Sequence, residues 1–233
     1  MRIGLFGYGK MGRMIEEIAQ ERGHTIVAKI DVDTIEIDYA SMDVAIDFST
    51  PDSAFTNITG CFENGVPVIC GTTGWLAQYS EAVDLCKKNK SAFIYASNFS
   101  LGVNIFFELN AHLAKMMSKL EQYKVSMEEI HHTQKLDAPS GTAITLAEGI
   151  IKNTGYTDWQ LEQSGDKTIP ITSKREGMVP GTHSICYESK VDSIEIKHMA
   201  HNREGFALGA VIAAEWIQEK TGVFSMKDVL NLS

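Results

Sequence analysis

Between residues 131 and 142 the chain reads His-His-Thr-Gln-Lys-Leu-Asp-Ala-Pro-Ser-Gly-Thr, its densest run of chemically able side chains. His131, His132 and Lys135 can together bind a dianion and give up protons near neutral pH. Strict alternation from Tyr123 to His131 predicts a strand with Tyr123, Val125, Met127, Glu129 and His131 on one face. His131 and His132 then point opposite ways and should not share one role. Pro139 precedes Ser140, a natural N-cap, and Gly141 and Thr142 open a helix predicted over 141–153. The N–H groups of such a helix start favour a carboxylate. Proton donors and an anion cradle thus share one short segment. The plainer alternative is a strand end followed by a capped helix.

A second cluster lies near the start. Gly7, Tyr8, Gly9, Lys10, Met11 and Gly12 fit G-x-G-x-x-G between a strand predicted at 2–6 and a helix predicted at 10–22. Gly7 permits the tight turn, Gly9 lets backbone approach a pyrophosphate, and Gly12 lets helix and strand pack closely. Lys10 adds a cation. Asp31 ends the next strand (25–30) at the spacing of the carboxylate that binds ribose hydroxyls, with Asp33 as a rival. A carboxylate there repels a 2′-phosphate, so NADH is favoured and NADPH remains usable. Gly71, Thr72 and Thr73 follow a buried strand, and Ser49 and 97–99 follow two others. All should lie at the carboxyl edge of a sheet, facing the nicotinamide half of the cofactor, although plain turns there are an equal alternative.

The elements that must position these groups read as follows. Short β-rich runs alternate with amphipathic helices through the first hundred residues, which indicates βαβ units and a parallel sheet of Rossmann type. Beyond 101 the pattern becomes that of a smaller α+β domain with an open mixed or antiparallel sheet. The helix predicted at 207–220 is apolar enough to return to the first domain. The expected division is 1–100 with 207–233 for dinucleotide, and 101–206 for substrate binding. The stretch 165–181, rich in glycine and poor in large hydrophobes, reads as a surface loop or lid.

Composition narrows the function classes. Lys+Arg of 21 against Asp+Glu of 30 give a net charge of −9, contrary to a nucleic-acid surface, which needs clustered cations. Cys61, Cys70, Cys86 and Cys186 show no zinc spacing and read as reduced core thiols, so no metal is expected. The opening MRIGLFGYGK resembles no secretion signal and no run is long enough to span a membrane, so a cytoplasmic protein is expected.

The run EIHHTQKLDAPSGTA at 129–143 resembles the signature of the dihydrodipicolinate reductase (4-hydroxy-tetrahydrodipicolinate reductase) family. GYGKMGR at 7–13, DFS at 47–49, GTTG at 71–74, SNFSLGVN at 97–104 and VPGT at 179–182 match in family order. The resemblance implies a catalytic His131, a proton-donating Lys135, and substrate contacts from His132, Ser140, Gly141 and Thr142. It implies dinucleotide contacts from residues 7–12, Asp31, 71–73, and Ala96, Ser97, Asn98 and Phe99. The substrate would be a small cyclic dicarboxylate, reduced by NADH or NADPH, and the assembly a homotetramer built through the second domain's sheets. Gln134 stands where many members carry histidine, many place the first loop glycine one residue earlier, and 187–197 is shorter than in longer members. Two rival readings are a related dehydrogenase of an amino acid, aldehyde or sugar, and a dinucleotide sensor without turnover. The first would want a Glu-Lys-Pro motif or an activated cysteine; the second has no use for a proton donor.

Overall fold

The computed structural model describes residues 1–34, 36–163 and 165–232. Its elements run β1 (Arg2–Phe6), α1 (Lys10–Glu21), β2 (Thr25–Ile30), β3 (Val44–Asp47), α2 (Pro51–Glu63), β4 (Val68–Cys70), α3 (Tyr79–Lys88), β5 (Ala92–Tyr95) and α4 (Leu101–Met117). Then follow β6 (Lys124–His131), α5 (Gly141–Asn153), β7 (Asp158–Leu161), β8 (Thr168–Arg175), β9 (Gly181–Glu188), β10 (Ser193–Ala200), α6 (Glu204–Trp216), β11 (Gly222–Phe224) and α7 (Met226–Leu230). Two compact units result, Met1–Leu101 with Glu204–Ser233, and Gly102–Arg203.

The first unit is a six-stranded sheet in the order β11-β5-β4-β3-β1-β2, parallel throughout. Continuous apolar runs such as Val44–Ile46 and Ala92–Ile94 suit strands covered on both faces, and all these residues are buried. One cluster packs α1 and α6 against Leu5, Ile46 and Ile94; the other packs α2 and α3 against Phe6, Val68 and Phe93. Because every strand points the same way, the loops after β1 to β5 gather along one edge. Strand order reverses between β1 and β3, the position where such sheets open a ligand crevice.

The second unit holds a five-stranded mixed sheet, β10-β9-β6-β8-β7. β6 is its centre, antiparallel to β9 and parallel to β8. The alternation of β6 buries Val125 and Met127 against Leu146, Ala147 and Ile150 of α5. Residues 168–175, within the stretch read as a loop or lid, form β8. Ile169 and Ile171 alternate inward, and Pro170 falls just before the pairing with β6 begins, where a missing N–H is tolerated. Among the described residues no helix is long and apolar enough to cross a membrane, and all four cysteines are free.

Candidate active site

Within the second unit, the site is built by register. Glu129 of β6 lies opposite His183 of β9 on one side and beside Ser173 of β8 on the other. Neighbours in register share a face, so three strands align Ser173, Glu129 and His183 in one row. His131, two residues on, returns to that face at the strand end, beside Arg175 in register. α5 then places its N-terminus over the row. The Ser140 N–H donates to both Glu129 oxygens (3.1 and 3.0 Å), and Ser140 Oγ accepts from the Ala143 N–H at 3.1 Å as the N-cap.

Glu129 is fully buried and surrounded by donors. Ser173 Oγ donates to Oε1 at 2.6 Å, and Arg175 Nη1 stands 3.7 Å from the same oxygen. Oε2 faces the histidines, with His131 Nε2 at 3.4 Å and His183 Nε2 at 3.7 Å. Burial alone would raise this carboxyl's pKa. The hydrogen bonds from His131, His183, Ser140 and Ser173 outweigh it and hold Glu129 ionised, well below the usual carboxylate range. His183 is buried, and desolvation lowers its pKa despite the pull of Glu129, so it rests as a neutral imidazole. His131 and His183 meet Nε2 to Nε2 at 3.3 Å with rings nearly perpendicular.

Lys135 sits on the turn between β6 and α5. Its Nζ donates to both oxygens of Asp137 at 2.7 Å, which lowers the Asp137 pKa. The turn is held by the Arg175 guanidinium, whose Nε donates to the Lys135 carbonyl at 3.2 Å and Nη2 to the Asp137 carbonyl at 2.7 Å. His132 lies just beyond the strand, half-buried, while His131 is buried, so the two histidines face different surroundings. Gly141 is exposed and nothing lies within 4 Å of where a Cβ would stand. Thr142, half-buried, is the second residue of the helix.

Four groups in this network escaped the sequence reading. Glu129 carried a signal: a carboxylate alternating onto the Val125–Met127 face must be buried and must find partners. His183 begins a β-like run but its register was not legible. Ser173 and Arg175 were hidden because 165–181 read as loop.

In the first unit, a cleft of about 310 Å³ opens where strand order reverses. It is lined by Gly7, Tyr8 and Gly9 after β1, Asp31 and Val32 after β2, and Phe48 and Ser49 after β3. α1 begins there with Gly9 as N-cap, no side-chain cap and no acid in its first turn, which leaves its N–H end suited to an anion. Lys10 is exposed, Met11 is half-buried against the core, and Gly12 is buried, its would-be Cβ 2.4 Å from the Gly7 carbonyl oxygen. The Tyr8 hydroxyl bonds Glu16 and accepts from Lys29 Nζ at 3.0 Å, and Arg13 stacks on the ring. Asp31 is exposed at the rim, where Oδ1 accepts from the Val32 N–H at 2.9 Å; Asp33 is exposed too. These features fit a dinucleotide.

Asp47, at the end of β3, organises the neighbouring loops. It accepts from Thr72 Oγ1, from Ser49 Oγ at 3.0 Å and from Asn57 Nδ2 at 2.8 Å. Burial raises its pKa against those hydrogen bonds. Gly71 donates its N–H to the Asp47 carbonyl at 2.8 Å, and a side chain on it would strike the Phe48 ring. Thr73 is exposed. Ala96 donates to the Cys70 carbonyl at 3.2 Å, Ser97 is exposed, and Asn98 Oδ1 accepts from the Ser100 N–H at 2.9 Å. The Phe99 ring is buried in the core beside Phe48, leaving its side chain unavailable to a ligand.

Comparison with known proteins agrees along the whole length. The family model "Dihydrodipicolinate reductase, N-terminus" matches residues 1–99, and "Dihydrodipicolinate reductase, C-terminus" matches 102–230. A 4-hydroxy-tetrahydrodipicolinate reductase of Christiangramia forsetii is 58% identical, covering 99% of this chain and 98% of that protein. One from Methanosarcina acetivorans is 36% identical, covering 99% and 89%. Among solved structures, a dipicolinate-bound dihydrodipicolinate reductase from Paenisporosarcina sp. TG-14 superposes with a TM-score of 0.77 at 25% identity, covering 97% of each chain.

Proposed function

The chain belongs to the dihydrodipicolinate reductase family, and we propose that its substrate is held by the turn and helix start of residues 131–142. It is an NAD(P)H-dependent 4-hydroxy-tetrahydrodipicolinate reductase of the diaminopimelate and lysine pathway, yielding tetrahydrodipicolinate. The observation that carries the site assignment is the convergence of His131, His183 and the α5 N-terminus on one buried carboxylate, Glu129, with Arg175 tying the turn of Lys135 to the same cluster.

Residue roles follow from that arrangement. Ser140, Gly141 and Thr142 at the start of α5 bind one substrate carboxylate, with His132 and the Lys135 ammonium completing the anion site. Substrate then displaces Asp137 from Lys135, an exchange that costs little because Asp137 is mostly exposed. Reduced nicotinamide, when bound, supplies hydride to the ring. The matching proton comes from Lys135 Nζ or His131 Nε2, and the cationic cluster offsets the charge developing on the ring nitrogen. Ser49, residues 71–73 and 96–98 position the dinucleotide together with the glycine loop, the first unit being the dinucleotide domain and the second the substrate domain.

A simple titration tests the substrate site. Gly141→Ala places a methyl where the structure has open space, at a helix position that alanine favours, so stability should hold. Dipicolinate, the ligand of the Paenisporosarcina neighbour, should bind the wild type and lose about tenfold or more in affinity to the variant by calorimetry. Equal affinity would remove the α5 N-terminus from the site.

NADH is the favoured cofactor. Asp31 stands at the rim, and Lys29, the nearest cation of β2, is engaged by Glu16 at 2.8 Å. Arg13 over Tyr8 is the cation that keeps NADPH usable. kcat/KM should be higher with NADH, and Asp31→Ala should narrow the ratio; an unchanged ratio would exclude Asp31 from the choice. The assembly is a homotetramer in the cytoplasm, the edge strand β10 giving the second unit's sheet unpaired backbone groups for subunit contact.

A further inference from the structure

Glu129, His131 and His183 form the only group of described side chains whose potential metal-ligand atoms crowd together in this way, all within 4.8 Å of one another and all three residues buried. The three facing atoms make a triangle with edges of 3.3 Å (His131 Nε2 to His183 Nε2), 3.4 Å (His131 Nε2 to Glu129 Oε2) and 3.7 Å (His183 Nε2 to Glu129 Oε2). A point about 2.0 Å from all three exists at its centre, which is the bond length zinc makes to imidazole nitrogen and carboxylate oxygen. Two histidines and a glutamate, with a fourth position left open, are also a ligand set zinc takes in enzymes.

Around His183 the polar neighbours outnumber what one imidazole nitrogen can use. The Nε2 of His183 has His131 Nε2 at 3.3 Å, Ser140 Oγ at 3.1 Å and Glu129 Oε2 at 3.7 Å around it, yet one ring nitrogen has one in-plane direction to offer. The outer contacts are those of a supported carboxylate ligand. Oε1 of Glu129 is taken by Ser173 and approached by Arg175, which leaves Oε2 turned to the histidines.

We propose that Glu129, His131 and His183 bind a zinc-type divalent cation, and that this ion inhibits the reductase by taking up Nε2 of His131. Ligation needs both imidazoles neutral with their remaining proton on Nδ1. The Nδ1 of His183 is buried without a partner among the described residues, so carrying that proton there has a cost. Affinity is therefore weaker than that of a closed structural zinc centre, as befits an ion that comes and goes. The fourth position takes water, because Ser140 Oγ is already engaged as a helix cap.

The binding half is independent of the reductase reading; the inhibition half rests on it. Chelator-dialysed protein titrated with zinc chloride in a calorimeter should bind one ion per chain, and His183→Ala should weaken that at least 100-fold. Cobalt(II) added to the wild type gives a second measurement that does not depend on the folding of His183→Ala. An intense visible absorption of four-coordinate, nitrogen-ligated cobalt, displaced by zinc, is expected. In turnover assays micromolar zinc should suppress activity and a chelator should restore it. No cobalt absorption, or zinc binding unaltered in a folded His183→Ala protein, would overturn the site. Binding at the site with turnover unaffected would overturn the inhibition.

Discussion

Replacing Lys135 by alanine is expected to lower kcat by about 10²- to 10⁴-fold, the range a positioned general acid supplies, while dinucleotide affinity stays nearly unchanged. The turn that carries Lys135 is held by groups other than its side chain. Lys135 N–H donates to the His132 carbonyl at 3.1 Å, and Arg175 clamps the Lys135 and Asp137 carbonyls. Truncation therefore removes the ammonium without collapsing the turn, and the Asp137 it releases is exposed and readily hydrated. The dinucleotide cleft is built from other residues entirely. Steady-state kinetics with a fluorescence titration of NADH separates the two effects. Lys135→Arg adds a finer test: it keeps the cation but holds its proton, so substrate KM should recover while kcat does not. Turnover of Lys135→Ala within a few-fold of wild type would give the proton to His131 instead.

Two glycines two residues apart should fail in opposite ways. Gly7 has φ of +86°, and a Cβ on it would lie 2.3 Å from the Phe48 carbonyl oxygen, a backbone atom that cannot step aside. Gly7→Ala combines left-handed strain with overpacking, together about 2–5 kcal/mol, a large part of the stability of an ordinary domain. Gly9 has nothing within 4 Å of its would-be Cβ and lies in the ordinary negative-φ range (φ −82°). Because alanine is a poorer N-cap than glycine, Gly9→Ala should lose only about 1 kcal/mol of stability, yet lose about tenfold or more in dinucleotide affinity, because the methyl stands where a pyrophosphate would meet the helix start. Chemical denaturation and NADH titration on both variants give the comparison. A Gly9→Ala protein that binds NADH normally would take the loop out of cofactor binding.

How much of this was legible in the sequence differs between the two units. The parallel sheet was plain because its strands are short apolar runs set between amphipathic helices, and local pattern decides such elements. The glycine loop was legible for the same reason, being a contiguous motif. In the second unit β6 and α5 were clear from alternation and from the Pro139–Ser140 start. What pattern could not supply was register. His183 joins Glu129 only because β9 pairs antiparallel with β6 at that offset, and Ser173 and Arg175 join only because β8 runs parallel to it. Those pairings are long-range, and Pro170 with the glycines nearby disguised β8 as loop. Asp47 was similarly invisible as a hub, since Thr72, its strongest partner, lies 25 residues away. Phe99 shows the converse: a matching motif residue whose side chain belongs to the core.

The most direct measurement supplies the chain with its substrate as it forms. A synthase condensing pyruvate with aspartate semialdehyde is coupled to this protein, and loss of reduced-nicotinamide absorbance is followed with NADH and with NADPH. The expected result is consumption only when synthase, both of its substrates and this chain are all present, faster with NADH and nearly abolished by Lys135→Ala. No consumption with either cofactor, from folded protein that still binds NADH, would contradict the assignment.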